Sequence, residues 1–383
     1  MDIVRANKSS PKECIRCLLS EDDGVVIEAS GLCRLCERFD GLWKNVPKTK
    51  EESDALLLPK IEEIKRQGAN KKYDCLIGVS GGVDSTYILL LAKQYGLRPL
   101  AVHFDNGWNS ELAVKNIEKA LSKLDFDLYT YVIDWEDFKK LQLAYLRASV
   151  VDIELPTDHA IYGAMFKIAS EFDIEYVLSG VNIATEALMP PTWHYNKLDF
   201  RNIQSIYKRH GTGGKLKTYP FVTKKVKKEI AKSGVKIVRV LDMIVYDINK
   251  ATKAIEEELG WTKYEGKHFE SIFTRFYQGY ILPTKFGMDK RKVHYSNLIC
   301  SGQMTKEEAQ ELLKETNYSK AQIAEDKDFV LKKLELSPEE FDEIMQTPTR
   351  MHREFDTEGA FFSEYPILKP FQPIWQKLRK QNA

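Results

Sequence analysis

The stretch 73–85 constrains this chain more than any other. Tyr73-Asp74-Cys75-Leu76-Ile77-Gly78-Val79 holds an apolar run of strand length. Ser80-Gly81-Gly82-Val83-Asp84-Ser85 follows directly, and 86–95 then reads as a helix ending at Gly96. A strand that turns through small and hydroxyl residues into a helix is an anion cradle. Gly81 and Gly82 let the backbone approach closely, and the unpaired N–H groups of the first helical turn point at the anion. Ser80 and Ser85 add hydroxyl donors, and Asp84 can hold a metal ion that neutralises phosphate charge. The turn is not a Walker A loop: it lacks G-x-x-x-x-G-K-[ST] and contains no lysine. The other reading of these residues is a capped helix start in an ordinary α/β protein.

Strand patterns recur at 98–104, 128–133, 175–179 and 236–240, separated by helix patterns at 110–124 and 135–148 and a helix opening at Asp158. This alternation predicts an α/β fold with a doubly wound, parallel, five-stranded sheet. Residues 40–70 read as a charged connector with a helix through 56–64. From 245 onward the patterns are mostly helical, with capping boxes at Thr305-Lys306-Glu307-Glu308 and Ser337-Pro338-Glu339-Glu340. The expected domains are a cysteine module at 1–45, a nucleotide-binding domain at 46–247 and a helical region at 248–383. The last part of that region, 361–375, reads as an aromatic, proline-rich arm.

Cys14, Cys17, Cys33 and Cys36 form C-x2-C-x15-C-x2-C, the spacing of a four-thiolate zinc site. Each C-x-x-C makes a knuckle presenting two sulfurs, and two knuckles complete a tetrahedron with no open position, which assigns the metal a structural role. Two disulfides or an iron–sulfur cluster are the alternatives. The N-terminus lacks the charged-then-apolar layout of a signal peptide, and no apolar run approaches bilayer length. A cytoplasmic protein with reduced thiols and no membrane partner is therefore expected, which disfavours disulfides. The formal charge of +1 provides no global field for nucleic acid, so a nucleic-acid partner is not expected.

The alternation breaks between 180 and 220, where Met189-Pro190-Pro191-Thr192-Trp193-His194-Tyr195 forms a loop rich in prolines and aromatics. Faces such as Trp193 and Tyr195 suit sugar rings or bases, and equally a stiffened packing loop. A second unusual stretch, 282–296, sets Lys285, Lys290 and Arg291 beside Gly287 and Asp289. It reads as a basic loop able to clamp phosphate, or as a basic surface turn.

The hexapeptide at 80–85 resembles the PP-loop of ATP pyrophosphatases, which grip the outer phosphates and cleave ATP to AMP and pyrophosphate. Together, the four-cysteine ribbon, V-S-G-G-V-D-S, H-F-D-N-G-W, L-S-G-V-N, M-P-P-T-W and L-P-T-K-F-G-M-D-K-R resemble the N-acetyl sugar amidotransferases across residues 12–355. These are PP-loop enzymes of surface-polysaccharide (including O-antigen) and nonulosonic-acid biosynthesis. The resemblance implies conversion of an acetamido group on a sugar, free or nucleotide-linked, to acetamidino through an O-adenylyl imidate. It further implies ATP and Mg²⁺ alongside the structural Zn²⁺. Ser80, Gly81, Gly82 and Ser85 would hold pyrophosphate, Asp84 would hold Mg²⁺, and Lys285, Lys290 and Arg291 would meet phosphate or substrate charge. The second strand would meet adenine through His103, Phe104 and Asp105, and Gly180 would close over the nucleotide. Asn182, Glu186, Trp193, His194 and Tyr195 become the candidates for substrate contacts. No cysteine stands in a glutaminase context, so ammonia would come from a separate glutaminase subunit, with 361–375 one candidate docking element. Two rivals share parts of this pattern: a PP-loop tRNA thiolase and a non-catalytic nucleotide-binding scaffold in a glycan-assembly complex. A thiolase needs a sulfur carrier, for which Cys75 reads as a core thiol and Cys300 lacks an evident partner.

Overall fold

β1 (Cys75–Val79) runs through the middle of a five-stranded sheet whose pairings are all parallel. The computed structural model describes residues 11–316 and 318–358. With β2 (Pro99–Asp105), β3 (Leu128–Val132), β4 (Tyr176–Ser179) and β5 (Lys236–Arg239), the spatial order is β3-β2-β1-β4-β5. The chain builds outward from β1 in one direction, then returns to its other side with β4. That reversal places the topological switch point at the carboxyl end of β1, where open α/β sheets bind ligands. The five expected strands are all present, their ends shifted by no more than two residues.

Helices cover both faces of the sheet. α1 (Arg34–Trp43) belongs to the cysteine module, and α2 (Lys50–Gly68) occupies the expected connector. α2, α3 (Val83–Gln94) and α4 (Glu111–Leu124) lie on one face, where Ile77, Ile88 and Ile117 share a core. α5 (Trp135–Ala148) stands beyond β3, and α6 (Leu155–Glu171) covers the other face with Ile168 against Leu76 and Val102. Beyond β4 come the short α7 (Ile183–Glu186), α8 (Phe200–His210) and α9 (Lys224–Ser233). α10 (Ile248–Leu259) packs Ala251, Ile255 and Leu259 into the same core as α3, so the first helix of the expected C-terminal region joins the helices that cover this face of the sheet.

The remaining helices are α11 (Ile272–Phe276), a π-helix (Tyr277–Phe286), α12 (Lys290–Cys300), α13 (Lys306–Lys314), α14 (Lys320–Leu334) and α15 (Pro338–Gln346). α11, the π-helix, α14 and α15 share a second core with α5, containing Phe138, Phe276, Leu334 and Phe341, while α12 and α13 pack on each other through Tyr295, Leu298 and Ala309. Both expected capping boxes form, at Thr305 with Glu308 and at Ser337 with Glu340. The basic stretch 282–296 is not a loop. It is the end of the π-helix, a left-handed Gly287 (φ 66°) and the start of α12, capped by Asp289. Proline at 283 and alternating charge imitate a loop in sequence, but Tyr277, Ile281 and Leu282 are buried and hold the segment helical. The arm at 361–375 lies outside the described residues.

A candidate active site beside a four-cysteine centre

The turn after β1 has the shape its residues require. Gly81 is left-handed (φ 84°), and a Cβ there would lie 2.8 Å from the Ala113 carbonyl oxygen. Trp261 Nε1 donates to the Gly81 carbonyl at 2.7 Å and the Tyr264 hydroxyl donates to it at 3.1 Å, fixing this peptide from the chain after α10. Gly82 caps α3 with Glu270 against its Cα, and a Cβ at Gly180 would stand 3.2 Å from that of Asp84. Ser80 Oγ and Ser85 Oγ lie 3.4 Å apart across the turn. Asp84 accepts a hydrogen bond from the Tyr246 hydroxyl, and burial pushes its carboxyl up to about 6. Glu186 raises it further while Lys267, itself 3.5 Å from Glu186, opposes.

A cavity of about 430 Å³ opens beside this turn, lined on one side by Gly78, Ser80, His103 and Phe104. His103 Nδ1 is 3.1 Å from the Val79 carbonyl, which can only accept, so Nδ1 carries the proton and Nε2 accepts from Asn109 at 3.1 Å. Phe104 stacks on Tyr131 with ring centroids 5.6 Å apart. Asp105 shapes the turn after β2 by accepting from Gly107 N at 2.8 Å and Asn109 at 3.1 Å.

Of the far wall, the sequence singled out only Lys290. This wall brings together Asp152, Glu154 and Asp158 from the entry to α6, Lys197 from the loop before α8, Thr274 from α11 and Lys290 from α12. Lys197 Nζ bridges Asp152 at 2.7 Å and Asp158 at 2.8 Å. Burial opposes both charges in this bridge, but the pairing keeps Asp152 below the usual carboxylate range and Lys197 above the usual ammonium range. Glu154 accepts from the Thr274 hydroxyl, and its burial pushes the carboxyl up to about 7. Lys290 lines the cavity without a hydrogen bond or ion pair to any described residue, and burial lowers its ammonium pKa. Between the two walls lie Glu270, pushed by burial up to about 7, and His268, held well below the usual imidazole range by burial and nearby lysines. His268 has a left-handed backbone (φ 65°), a strained conformation of the kind concentrated at functional sites. The acidic opening of α6 was visible in sequence; nothing in 266–270 signalled its part in the wall.

Several candidates stand elsewhere. Lys285 Nζ donates to the carbonyls of Ile344 (2.6 Å), Met345 (3.2 Å) and Thr347 (2.6 Å), so it caps the end of α15 rather than facing phosphate. Arg291 forks onto Asp289, with 2.7 Å at the shorter contact, and donates to the Glu315 carbonyl at 2.6 Å. Trp193 is buried against the cysteine module, and Tyr195 stacks on His352 at 4.3 Å between centroids while donating to Asp199 at 2.8 Å. His194 is exposed and held to the Pro190 carbonyl. Asn182 is fully buried as the N-cap of α7, accepting from Thr185 N at 2.9 Å. The contribution of the 189–197 loop to the cavity is Lys197, not its aromatic residues.

The four cysteines converge as the spacing predicts. All four sulfurs lie within 4.8 Å of one another, with Cys14–Cys36 at 3.8 Å and Cys17–Cys33 at 3.7 Å. A tetrahedron with Zn–S of about 2.3 Å has sulfur–sulfur edges of roughly 3.8 Å, so the thiolates fit zinc. None of the six cysteines is in a disulfide. Cys33 caps α1, and Lys306 Nζ donates to the Cys14 carbonyl at 2.7 Å, seating the module on α13. α12 links the two centres: Lys290 at one end lines the cavity, and Cys300 at the other lies 3.5 Å from Cys36. Cys75 is buried in β1.

Residues 270–369 match the family of LPS biosynthesis protein WbpG-like C-terminal domains. Within the matched residues, Glu270, Thr274 and Lys290 line the cavity, which Ser80 lines from the turn after β1. The chain is 28% identical over 128 residues to an uncharacterized protein of Methanocaldococcus jannaschii, covering 33% of this chain and 44% of that one. It is 36% identical over 76 residues to the tRNA(Ile)-lysidine synthase of Chlamydia pneumoniae, covering 19% and 23%. The matches thus span less than half the length of either curated relative. Among solved structures, NMN synthetase from Francisella tularensis aligns with a TM-score of 0.28 at 16% identity, over 60% of this chain and 92% of that one. No helix of the described residues is long and apolar enough to cross a membrane.

Proposed function

We propose that this chain is an ATP-dependent amidotransferase that converts the acetamido group of a sugar to acetamidino, releasing AMP and pyrophosphate. The observation that carries the reading is the shared cavity: a PP-loop turn on one wall and a WbpG-like domain on the other. An amide oxygen is a poor leaving group, so nitrogen can replace it only after activation. Attack of that oxygen on the α-phosphorus of ATP makes the O-adenylyl imidate, and ammonia then displaces AMP. The outer phosphates would sit against Ser80, Gly81, Gly82, Ser85 and the start of α3. Asp84, with Glu186 and Glu270 on the same side, is the carboxylate suited to a Mg²⁺ ion, which neutralises the leaving pyrophosphate. His103 and Phe104 form the side suited to adenine. The charged far wall supplies both donors and acceptors for a polar sugar. Sulfur transfer to tRNA is disfavoured because Cys75 lies in the sheet core and Cys300 beside Cys36, neither lining the cavity.

The nitrogen source follows from the absence of a glutaminase context around any cysteine, which makes a separate glutaminase the partner. The test is product mass spectrometry with ATP, Mg²⁺ and a panel of free and nucleotide-linked acetamido sugars. Ammonium should yield a product one mass unit lighter than the acetamido sugar, the difference between oxygen and NH. Glutamine should do so only when the glutaminase is added. Efficient use of glutamine by the purified chain alone would refute the two-protein reading.

A further inference from the structure

We propose that Glu154 accepts the acetamido N–H proton as the amide oxygen bonds to the α-phosphorus; this rests on the amidination reading. Adenylylation of an amide oxygen leaves a cationic imidate unless the nitrogen loses its proton. In the balanced step, the carbonyl oxygen bonds to phosphorus and the bond from phosphorus to the pyrophosphate oxygen breaks. The electron pair of the N–H bond becomes the second bond of C=N, and the proton passes to the Glu154 carboxylate. The proton can return to that nitrogen when ammonia adds to the imidate carbon. The step therefore needs a base on the acceptor side of the cavity.

Glu154 meets the geometric requirements. It lines the same cavity as Ser80, and the Thr274 hydroxyl fixes its carboxylate. Its position is the N-cap of α6, where a side chain ordinarily receives the helix N–H groups, yet it makes no such cap. Among the described residues it has no ion-pair partner: Lys197 takes Asp152 and Asp158 instead. A half-buried carboxyl that neither caps its helix nor balances a cation needs another reason to be there. The charged groups around it are Asp152 and Asp158 at the entry to α6, Lys197 before α8, Lys290 on α12, and His268 and Glu270 ahead of α11. Lys290 favours the carboxylate and Asp158 opposes it, while burial holds its titration near neutrality. That balance suits a base at neutral pH.

The experiment uses the full chain and measures pyrophosphate release in a single turnover with ATP, Mg²⁺ and acetamido sugars (free and UDP-linked N-acetylglucosamine among them). Ammonia is left out, so its own titration does not enter. Wild-type rates should rise with pH through an acidic limb centred near 7. Glu154→Gln should lower the rate at least about 100-fold and remove the limb, with ATP affinity and melting temperature retained. Glu154→Asp should recover part of the rate and keep a limb. Thr274→Val should slow the step without removing its pH dependence. A Glu154→Gln rate within about threefold of wild type, or a limb that persists in that variant, would overturn the proposal. So would equal losses in Glu154→Gln and Thr274→Val accompanied by matching losses of stability, the signature of a merely structural role. Absence of pyrophosphate release by wild type with every sugar contradicts the amidination reading itself, and the proposal falls with it.

Discussion

Gly81→Ala isolates what the turn after β1 demands of its backbone. Gly81 holds φ 84°, and a left-handed conformation costs an L-residue roughly 1–2 kcal/mol. A Cβ would also lie 2.8 Å from the Ala113 carbonyl oxygen, at the third residue of α4, which cannot yield without moving the helix. The peptide cannot flip to relieve the strain, because Trp261 and Tyr264 both hold the Gly81 carbonyl. Gly96→Ala is the matched control: its φ is 64°, but no atom lies within 4 Å of the added carbon. Gly96→Ala should therefore cost only about 1–2 kcal/mol, and Gly81→Ala a total of about 2–4 kcal/mol. Urea unfolding followed by circular dichroism, with the midpoint shift taken at constant slope, gives both values. Gly81→Ala should also lose most pyrophosphate formation, whereas Gly96→Ala should not. Equal stability losses in the two variants, or an active Gly81→Ala enzyme, would refute the argument that contact and clamp shape the turn.

Four further substitutions probe other parts of the molecule. Cys33→Ser should bind less than one equivalent of zinc by metal analysis and melt at lower temperature, because removing one ligand leaves three thiolates and an open position. Lys285→Met should destabilise the fold by freeing three carbonyls yet leave the chemistry of folded enzyme intact, while Lys290→Met should fold normally and lose turnover. For Glu270 the folded-state pKa is raised to about 7, so ionisation opposes folding: the stability of the neutral carboxyl is complete below the unfolded value and is lost as pH rises through about 7. Glu270→Gln should then stabilise the ligand-free protein at pH 8, by on the order of 2–3 kcal/mol, and bring no gain near pH 4. A flat difference between those two pH values would contradict this.

Local patterns made much of this architecture legible. The strand–turn–helix across 75–94, the five strands, the four-cysteine spacing and both capping boxes depend on neighbours in sequence, and the structure has each of them. The far wall was hidden because it assembles from α6, the loop before α8, α11 and α12, more than 130 residues apart between Glu154 and Lys290. Charge alone also could not rank the lysines of 285–292. Lys285 and Lys290 look alike in sequence, yet one is saturated by carbonyl groups and the other faces the cavity. Trp193 illustrates the same limit. An aromatic residue among prolines can present its face to a ligand or, as here, close the core beneath a cysteine module.

The most direct test of the account follows one oxygen atom. A sugar carrying ¹⁸O in its acetamido carbonyl is incubated with ATP, Mg²⁺, ammonium and the full chain, and the nucleotide product is analysed by mass spectrometry. If the amide oxygen bonds to the α-phosphorus before nitrogen replaces it, the label must appear in AMP, one atom for each acetamidino sugar formed. Unlabelled AMP beside acetamidino product, or ADP as the stoichiometric nucleotide, would contradict activation at the α-phosphorus.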